Sequence, residues 1–542
     1  MGKHKPILAF AAFTAFFAVL ATFVFWGTWS PDVTPIMPDA PTVHALGYFK
    51  ALRELLYEHC FSKWLFIPDD LLLFFGTPYF RQEFQYVFAA YFAALGAVYY
   101  CRGRGLGLFA SYSAGLLLAF CGYWFTLFSA GHMGWFRWMT YGVFAFGLCD
   151  RAVRLDNLRH WLLLAAVLAW SCRWQQDMWL IFALFSFAYF VWCHFREKRK
   201  PAWRHIAIAA VAFFAIGGGN IRFAFVDSLA GRKAQLEDSK GSALSGGAGK
   251  DSREANWVFA TNWSMPPEDT LEFFIPRIHG DTSCPYSLSI AQWKKCDLAP
   301  YSGRLGRPID AKDGNYRQHS LYVGRVTCFF ALVAVALLAA RRLRTRDVGF
   351  FAAAALLFWL LSMGRFCESV YRVVFSLPLA NFIRAPVKWH HATELCLVFL
   401  SAFSLDALWN FAAGAHRRWM RYAAVALVAW GALDLANAAS RYCVPLDLTE
   451  VKRQSCAMDL VFLHDSNFSD PRLAAMVRAR RIIPVANYPG RDDVHLVQCL
   501  SPRKAPEKKP PQPLYAKLLG LLSLVSSIVV VAYAVKRGRS DE

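Results

Sequence analysis

The chain has 542 residues, 56% of them hydrophobic and only 18% charged, with a formal net charge of +21. The apolar residues gather in long runs, which excludes a large soluble core. Base recognition needs an exposed basic module with groove- or base-reading geometry, and the dispersed charge offers none, so nucleic acid is excluded as a partner.

Ile7 to Trp26 is the first apolar run. No small-x-small site closes it, since Phe25-Trp26-Gly27-Thr28 follows, so it reads as a retained span rather than a cleaved leader. Further runs are Phe84 to Cys101, Leu106 to Phe128, Met178 to Phe195, Tyr322 to Ala340 and Leu514 to Val535. A helix rises ~1.5 Å per residue, so roughly 20 apolar residues cross a ~30 Å hydrocarbon core. Lipid offers backbone groups no partner, so such runs must be helical. The pattern predicts an all-α polytopic membrane protein of about twelve spans, ending near residues 26, 101, 128, 149, 172, 195, 225, 340, 364, 413, 439 and 535. The spans near 138–149 and 158–172 are short enough to be partly re-entrant.

The basic residues follow the threading. With Lys3 and Lys5 in the cytoplasm, the cytoplasmic turns carry Arg102/Arg104, Arg151/Arg154/Arg159, Arg196/Lys198/Arg199/Lys200, Arg341/Arg342/Arg344/Arg346, Arg417/Arg418/Arg421 and Lys536/Arg537/Arg539. This is the positive-inside asymmetry, and it predicts a multi-pass protein with both termini in the cytoplasm.

The expected organisation is an N-terminal bundle over 1–225, with its first external loop at 27–83, and a large external loop over 226–320. A second bundle covers 321–441, with a re-entrant or interfacial stretch at 365–390. A small mixed α/β external segment and linker fill 442–512, and a final helix with a basic tail covers 513–542. Within the first loop, His44 to Tyr57 is amphipathic at helical spacing and suits the membrane interface. Lys240 to Lys250 is a Gly/Ser/Lys tract. Of the externally placed cysteines, Cys284 and Cys296 are the easiest local disulfide pair.

Chemistry can sit at a few places. Asp32 and Asp39 stand among Pro31, Pro35, Pro38 and Pro41, just past the first span. Proline stiffens such a segment, so these carboxylates suit a general base for a hydroxyl acceptor, although solvated turn acids have the same pattern. In the large loop, Glu268 and Asp269 follow Pro266-Pro267, where a helix N-terminus also favours acids. His279 suits a sugar or phosphate site, or is incidental. His132, in the Ser129-Ala130-Gly131-His132 turn, lines a site or makes a structural hydrogen bond. Arg384 and Lys388, before Trp389-His390-His391, offer cations to a lipid-linked phosphate or to headgroups, and Arg222 is a weaker candidate of the same kind. His390 and His391 are adjacent on a helix and do not read as a metal pair. Walker A, GxSxG and HExxH patterns do not occur.

Several stretches together resemble one family. Asn262 to Gly280 (NWSMPPEDTLEFFIPRIHG), Tyr322-Val323-Gly324, Leu361-Ser362-Met363-Gly364, Leu377-Pro378 with Ile383-Arg384-Ala385-Pro386, and Ala130-Gly131-His132 are similar to the YfhO-type bacterial integral membrane proteins, relatives of the GT-C glycosyltransferases. The resemblance covers most of residues 1–415. It implies a GT-C-like helical bundle in a bacterial inner membrane, whose first external loop carries the catalytic acid, here Asp39 before Asp32. The adjacent pair Asp69-Asp70 lies late in that loop.

The resemblance further implies a polyprenyl-phosphate-linked sugar as donor and an extracytoplasmic glycan, teichoic acid or lipid as acceptor. Arg384, Lys388 and Arg222 would then serve the donor phosphate, and His132, Glu268, Asp269 and His279 would line the substrate site. The cofactor stays open, a divalent cation included. Two other classes compete: a transporter or flippase of a lipid-linked glycan, which needs ionisable residues inside spans, and a non-catalytic envelope-assembly protein.

Overall fold

The computed structural model describes residues 5–29, 33–35, 80–129, 138–172, 176–222, 257–258, 260–261, 263–280, 303–304, 320–343, 345–377, 383–443, 445–447, 459–464, 482–488, 491–499 and 514–540. In chain order the helices are α1 (Lys5–Val24), α2 (Phe80–Gly103), α3 (Leu108–Ala119), α4 (Gly122–Ser129), α5 (Met139–Gly142), α6 (Phe144–Leu155), α7 (Leu158–Ser171), α8 (Gln176–Glu197) and α9 (Trp203–Arg222). After the large loop come α10 (Arg325–Ala339), α11 (Arg346–Ser362), α12 (Glu368–Phe375), α13 (His390–Phe411), α14 (Arg418–Ser440) and α15 (Leu514–Ser540).

Among the described residues, five helices are long and apolar enough to cross a membrane, or up to seven if each of two bent pairs is one span. The chain is therefore a multi-pass, predominantly helical membrane protein. The count of twelve goes further than this, and the reason is local. α3 and α4 are bent by 43° at a break, α11 turns by 112° into the following segment, and Leu158–Ser171, Trp203–Gly218 and Arg325–Ala339 are apolar but short.

Small residues let the helices approach closely, which is how packing replaces hydrophobic drive between membrane helices. Ala89, Ala90, Ala93, Ala94 and Ala97 form a buried row on α2. Against it lies Gly115 of α3, where a Cβ would come within 2.9 Å of the Ala94 carbonyl oxygen. Aromatic side chains fill the wider gaps: Trp138 stacks on Phe182 with centroids 3.6 Å apart, and Tyr100 lies 4.3 Å from Phe399. α13 is the central helix, packed along α10, α11 and α3.

The two ends of the bundle differ in chemistry. At one end, Asp150 and Asp347 are buried and shared by arginines from separate helices. Arg104 reaches Asp347 at 2.6 Å and Asp150 at 3.0 Å, and Arg196 reaches Asp347 at 2.6 Å and also pairs with Asp150. Arg154 adds a contact to Asp150 at 3.4 Å, and Trp192 Nε1 donates to Asp347 at 3.0 Å. Four of the basic turns named above thus meet at one end, where burial of the carboxylates is tolerable because each is paired and hydrogen-bonded.

The strands are short. β1 (Val33–Pro35) pairs antiparallel with β2 (Pro445–Asp447), Val33 opposite Asp447, so the chain just after Asp32 runs beside the segment that follows α14. β3 (Asp459–His464), β4 (Ile482–Tyr488) and β5 (Arg491–Cys499) form an antiparallel sheet in the order β3-β5-β4. The sheet lies within the stretch expected to be mixed α/β, and residues 465–481, between β3 and β4, lie outside the described residues.

Candidate functional site

The end of the bundle opposite the arginine cluster is built from the motif-bearing segments. Residues 263–280 enter as an extended Pro-Pro stretch and coil into a 3₁₀ turn over Pro267–Phe273. Pro266 and Pro267 fix the entry, and the Asp269 amide donates to the Pro266 carbonyl at 3.0 Å. The segment is stitched to its neighbours by backbone bonds. Met265 N donates to Ser362 O at 2.9 Å, Val387 N to Trp263 O at 3.0 Å, Ala385 N to Ala260 O at 3.0 Å and Val323 N to Phe273 O at 3.2 Å.

Gly364 closes this junction. Its φ is +48°, and a Cβ there would overlap Ser264 Oγ and lie 2.5 Å from Pro386 Cγ. Only glycine meets both demands.

Buried carboxylates line the inner side. Asp269, Glu272 and Glu394 are fully buried. Ser320 Oγ donates to Glu272 at 3.4 Å, and Ser320 N donates to Thr126 Oγ1 at 3.1 Å, which joins the loop to α4. Glu394, on the first turns of α13, accepts from Tyr123 N at 3.3 Å and faces His390 Nε2 at 3.7 Å and His391 Nδ1 at 3.5 Å. His390 Nε2 donates to the Leu321 carbonyl at 3.3 Å and its ring lies 4.4 Å from that of Phe273. His391 stacks on Tyr123 with centroids 4.1 Å apart. The adjacent histidines thus reach one carboxylate, because His390 and Glu394 are related i,i+4 and His391 and Glu394 i,i+3 on the helix. Among the described residues, no group of three or more His, Cys, Asp or Glu is arranged to hold a metal ion.

The candidate residues fall as follows. Glu268 is half-buried and takes a bidentate pair from Arg304 at 2.7 and 2.8 Å, and that guanidinium holds its carboxyl below the usual carboxylate range. His279 Nε2 donates to the Glu268 carbonyl at 3.1 Å and lies 3.9 Å from Asp269 Oδ1. Glu268, Asp269 and His279 therefore belong to one knot.

Arg384 is exposed, directly before the buried run Ala385–His391. Lys388 is buried and forms an ion pair with the equally buried Asp177 at the start of α8, so its cation is engaged inside the protein. Arg222 ends α9, and its side chain lies outside the described residues, as do Asp32, Asp39, Asp69, Asp70 and His132. The amphipathic stretch at 44–57, the Lys240 to Lys250 tract, Cys284 and Cys296 also lie outside them.

Sequence patterning does not single out Glu272, Ser320 or Asp177. Glu272 sits inside Leu271–Ile275, where an acid in an apolar run was the available signal. Asp177 meets Lys388 across 211 positions, for which local patterning gives no sign. No protein-family model matches the chain, and neither does any curated protein or solved structure.

Proposed function

We propose that the protein is a membrane glycosyltransferase. It takes sugar from a polyprenyl-phosphate-linked donor and delivers it to an extracytoplasmic glycan, teichoic acid or lipid. In this reading it crosses a bacterial inner membrane about twelve times with both termini cytoplasmic. One observation carries the reading. Segments 263–280, 320–324 and 383–391, far apart in sequence, converge at the end of the bundle opposite the buried arginine cluster, bringing acids and cations together there.

In the proposed reaction, Asp39 accepts the proton of the acceptor hydroxyl, with Asp32 as its nearest substitute. The acceptor oxygen bonds to the anomeric carbon as the bond from that carbon to the phosphate oxygen breaks. Arg384 stabilises the charge that grows on the departing lipid phosphate. The pairing of β1 with β2 brings the neighbours of Asp32 beside Pro445–Asp447, the chain that leaves α14.

The test uses the full chain in nanodiscs with radiolabelled polyprenyl-phosphate hexose and a membrane-glycan acceptor fraction. Transfer by the native chain that is lost in Asp39→Asn and Asp32→Asn, at unchanged expression, supports the reading. Undiminished transfer in both variants removes the acid assignment, and no donor consumption by the native chain removes the enzyme. A second reading, a carrier of lipid-linked glycan, is favoured by the charged pairs buried in the bundle, Asp150 and Asp347 with Arg104 and Arg196. Movement of labelled lipid in proteoliposomes without sugar transfer would select it.

A further inference from the structure

The segment over 264–280 has its polarity reversed. Two of its three carboxylates, Asp269 and Glu272, are buried and the third, Glu268, is half-buried, whereas its exposed residues are Pro267, Leu271, Ile275 and Ile278, all apolar. Leu271 is 52% exposed, Ile275 48% and Ile278 39%, which is the pattern of a surface turned away from water.

The surroundings say what covers it. Phe273 O accepts from Val323 N at the head of α10 and from Cys328 Sγ on its first turn at 3.5 Å. Three residues earlier, Thr270 Oγ1 accepts from Trp359 Nε1 near the end of α11 at 3.0 Å. The 3₁₀ turn therefore bridges α10 and α11. Each of these helices leads away from it with an exposed apolar row: Phe329 and Leu332 on α10, Leu356 and Leu357 on α11. These rows belong to apolar helices of a membrane bundle, so the exposed face of the turn continues a lipid-facing surface. Its backbone is suited to that place. Phe274 N and Ile275 N both donate to Leu271 O, at 3.2 and 3.0 Å, and leave few polar groups for lipid to strand. Polar groups border the face, Glu268 with Arg304 and His279 in one knot and Arg277 next to Ile278 in the chain, as expected at headgroup depth.

We infer that Leu271, Ile275 and Ile278 are seated in the bilayer leaflet, in contact with phospholipid acyl chains, so that the turn holding the buried acids is anchored by lipid from outside. The inference is independent of the transferase reading. To test it, p-benzoylphenylalanine replaces Leu271, Ile275 or Ile278 one at a time in the full chain, in nanodiscs of phosphatidylethanolamine and phosphatidylglycerol. Leu356 serves as the lipid-facing control and Glu268 as the polar one. Irradiation should give phospholipid adducts, read by intact mass, at the three positions at a yield within about threefold of Leu356 and several-fold above Glu268. Adducts to a second copy of the chain, or none at the three positions while Leu356 reacts, would overturn the inference. If the bulky probe displaces the turn, a small aliphatic diazirine at the same positions reads the same two outcomes.

Discussion

Lys388 and Asp177 form a buried ion pair that ties the 3₁₀ turn before α13 to the first turn of α8. Removing one member leaves the other charge stranded, which costs about 3–5 kcal/mol, whereas replacing both by apolar residues is often close to neutral. Lys388→Met and Asp177→Leu should each lower the thermal midpoint of the detergent-solubilised protein, and the double variant should regain most of the loss. Additive losses would show that the pair is not a unit.

Gly364→Ala asks an L-residue to take a left-handed conformation, worth about 1–2 kcal/mol, and adds the overlap with Ser264 and Pro386. The junction should open before the bundle melts. Hydrogen exchange at Met265, whose amide is bonded to Ser362 O, should accelerate while that of the α13 interior stays unchanged. Equal protection in the variant would mean that the junction tolerates a side chain.

Much of this could be read in the chain beforehand, for physical reasons. Long apolar runs announced the helices, and arginines marked one end because headgroups and the positive-inside bias act on local sequence. The 262–280 stretch stood out because prolines and acids interrupt apolar surroundings. Its buried partner Ser320 did not stand out, since it reaches Glu272 only through tertiary packing. Lys388 shows the same limit: its type and place suited a phosphate, yet its partner is an acid from another helix.

The Glu268–Arg304 pair makes a pH prediction. The folded carboxyl titrates below its unfolded value of about 4.3, so its contribution is fully present above that value and is lost as pH falls through the folded one. Both side chains are partly exposed, so the contribution is no more than about 1 kcal/mol and is screened by salt. Exchange of the 267–280 amides should be flat from neutral pH to about pH 5, after correction for intrinsic rates, and should rise only as pH falls below the unfolded carboxyl value. Glu268→Gln should remove that acid-dependent rise, and an unchanged profile in the variant would assign it elsewhere.

Glu394 should prove less replaceable than its position in an apolar helix implies. Glu394→Ala leaves Tyr123 N without its acceptor and two histidines without their shared carboxylate, a loss of about 1–3 kcal/mol for the buried donor alone. Glu394→Gln retains an acceptor oxygen for Tyr123 N and should keep more of the stability. Denaturation of both variants in the same detergent gives the order, and Gln falling with Ala would show that the charge, not the acceptor, matters.

Asp347→Asn separates the cluster from its charge balance, since Arg104 and Arg196 then share Asp150, with Glu197 the remaining acid beside Arg196. Because these carboxylates are buried, the destabilisation should persist at 1 M salt, unlike that of an exposed pair. A loss that salt abolishes would place the cluster in contact with water.

α8 has Asp177 clasped by Lys388 at its start and Arg196 clasped by Asp347 near its end. Both partners belong to the later half of the chain, so this helix works as a strut riveted twice to one wall. Sliding of the first half along the second would shear both rivets at once, whereas a swing about the line joining them strains neither.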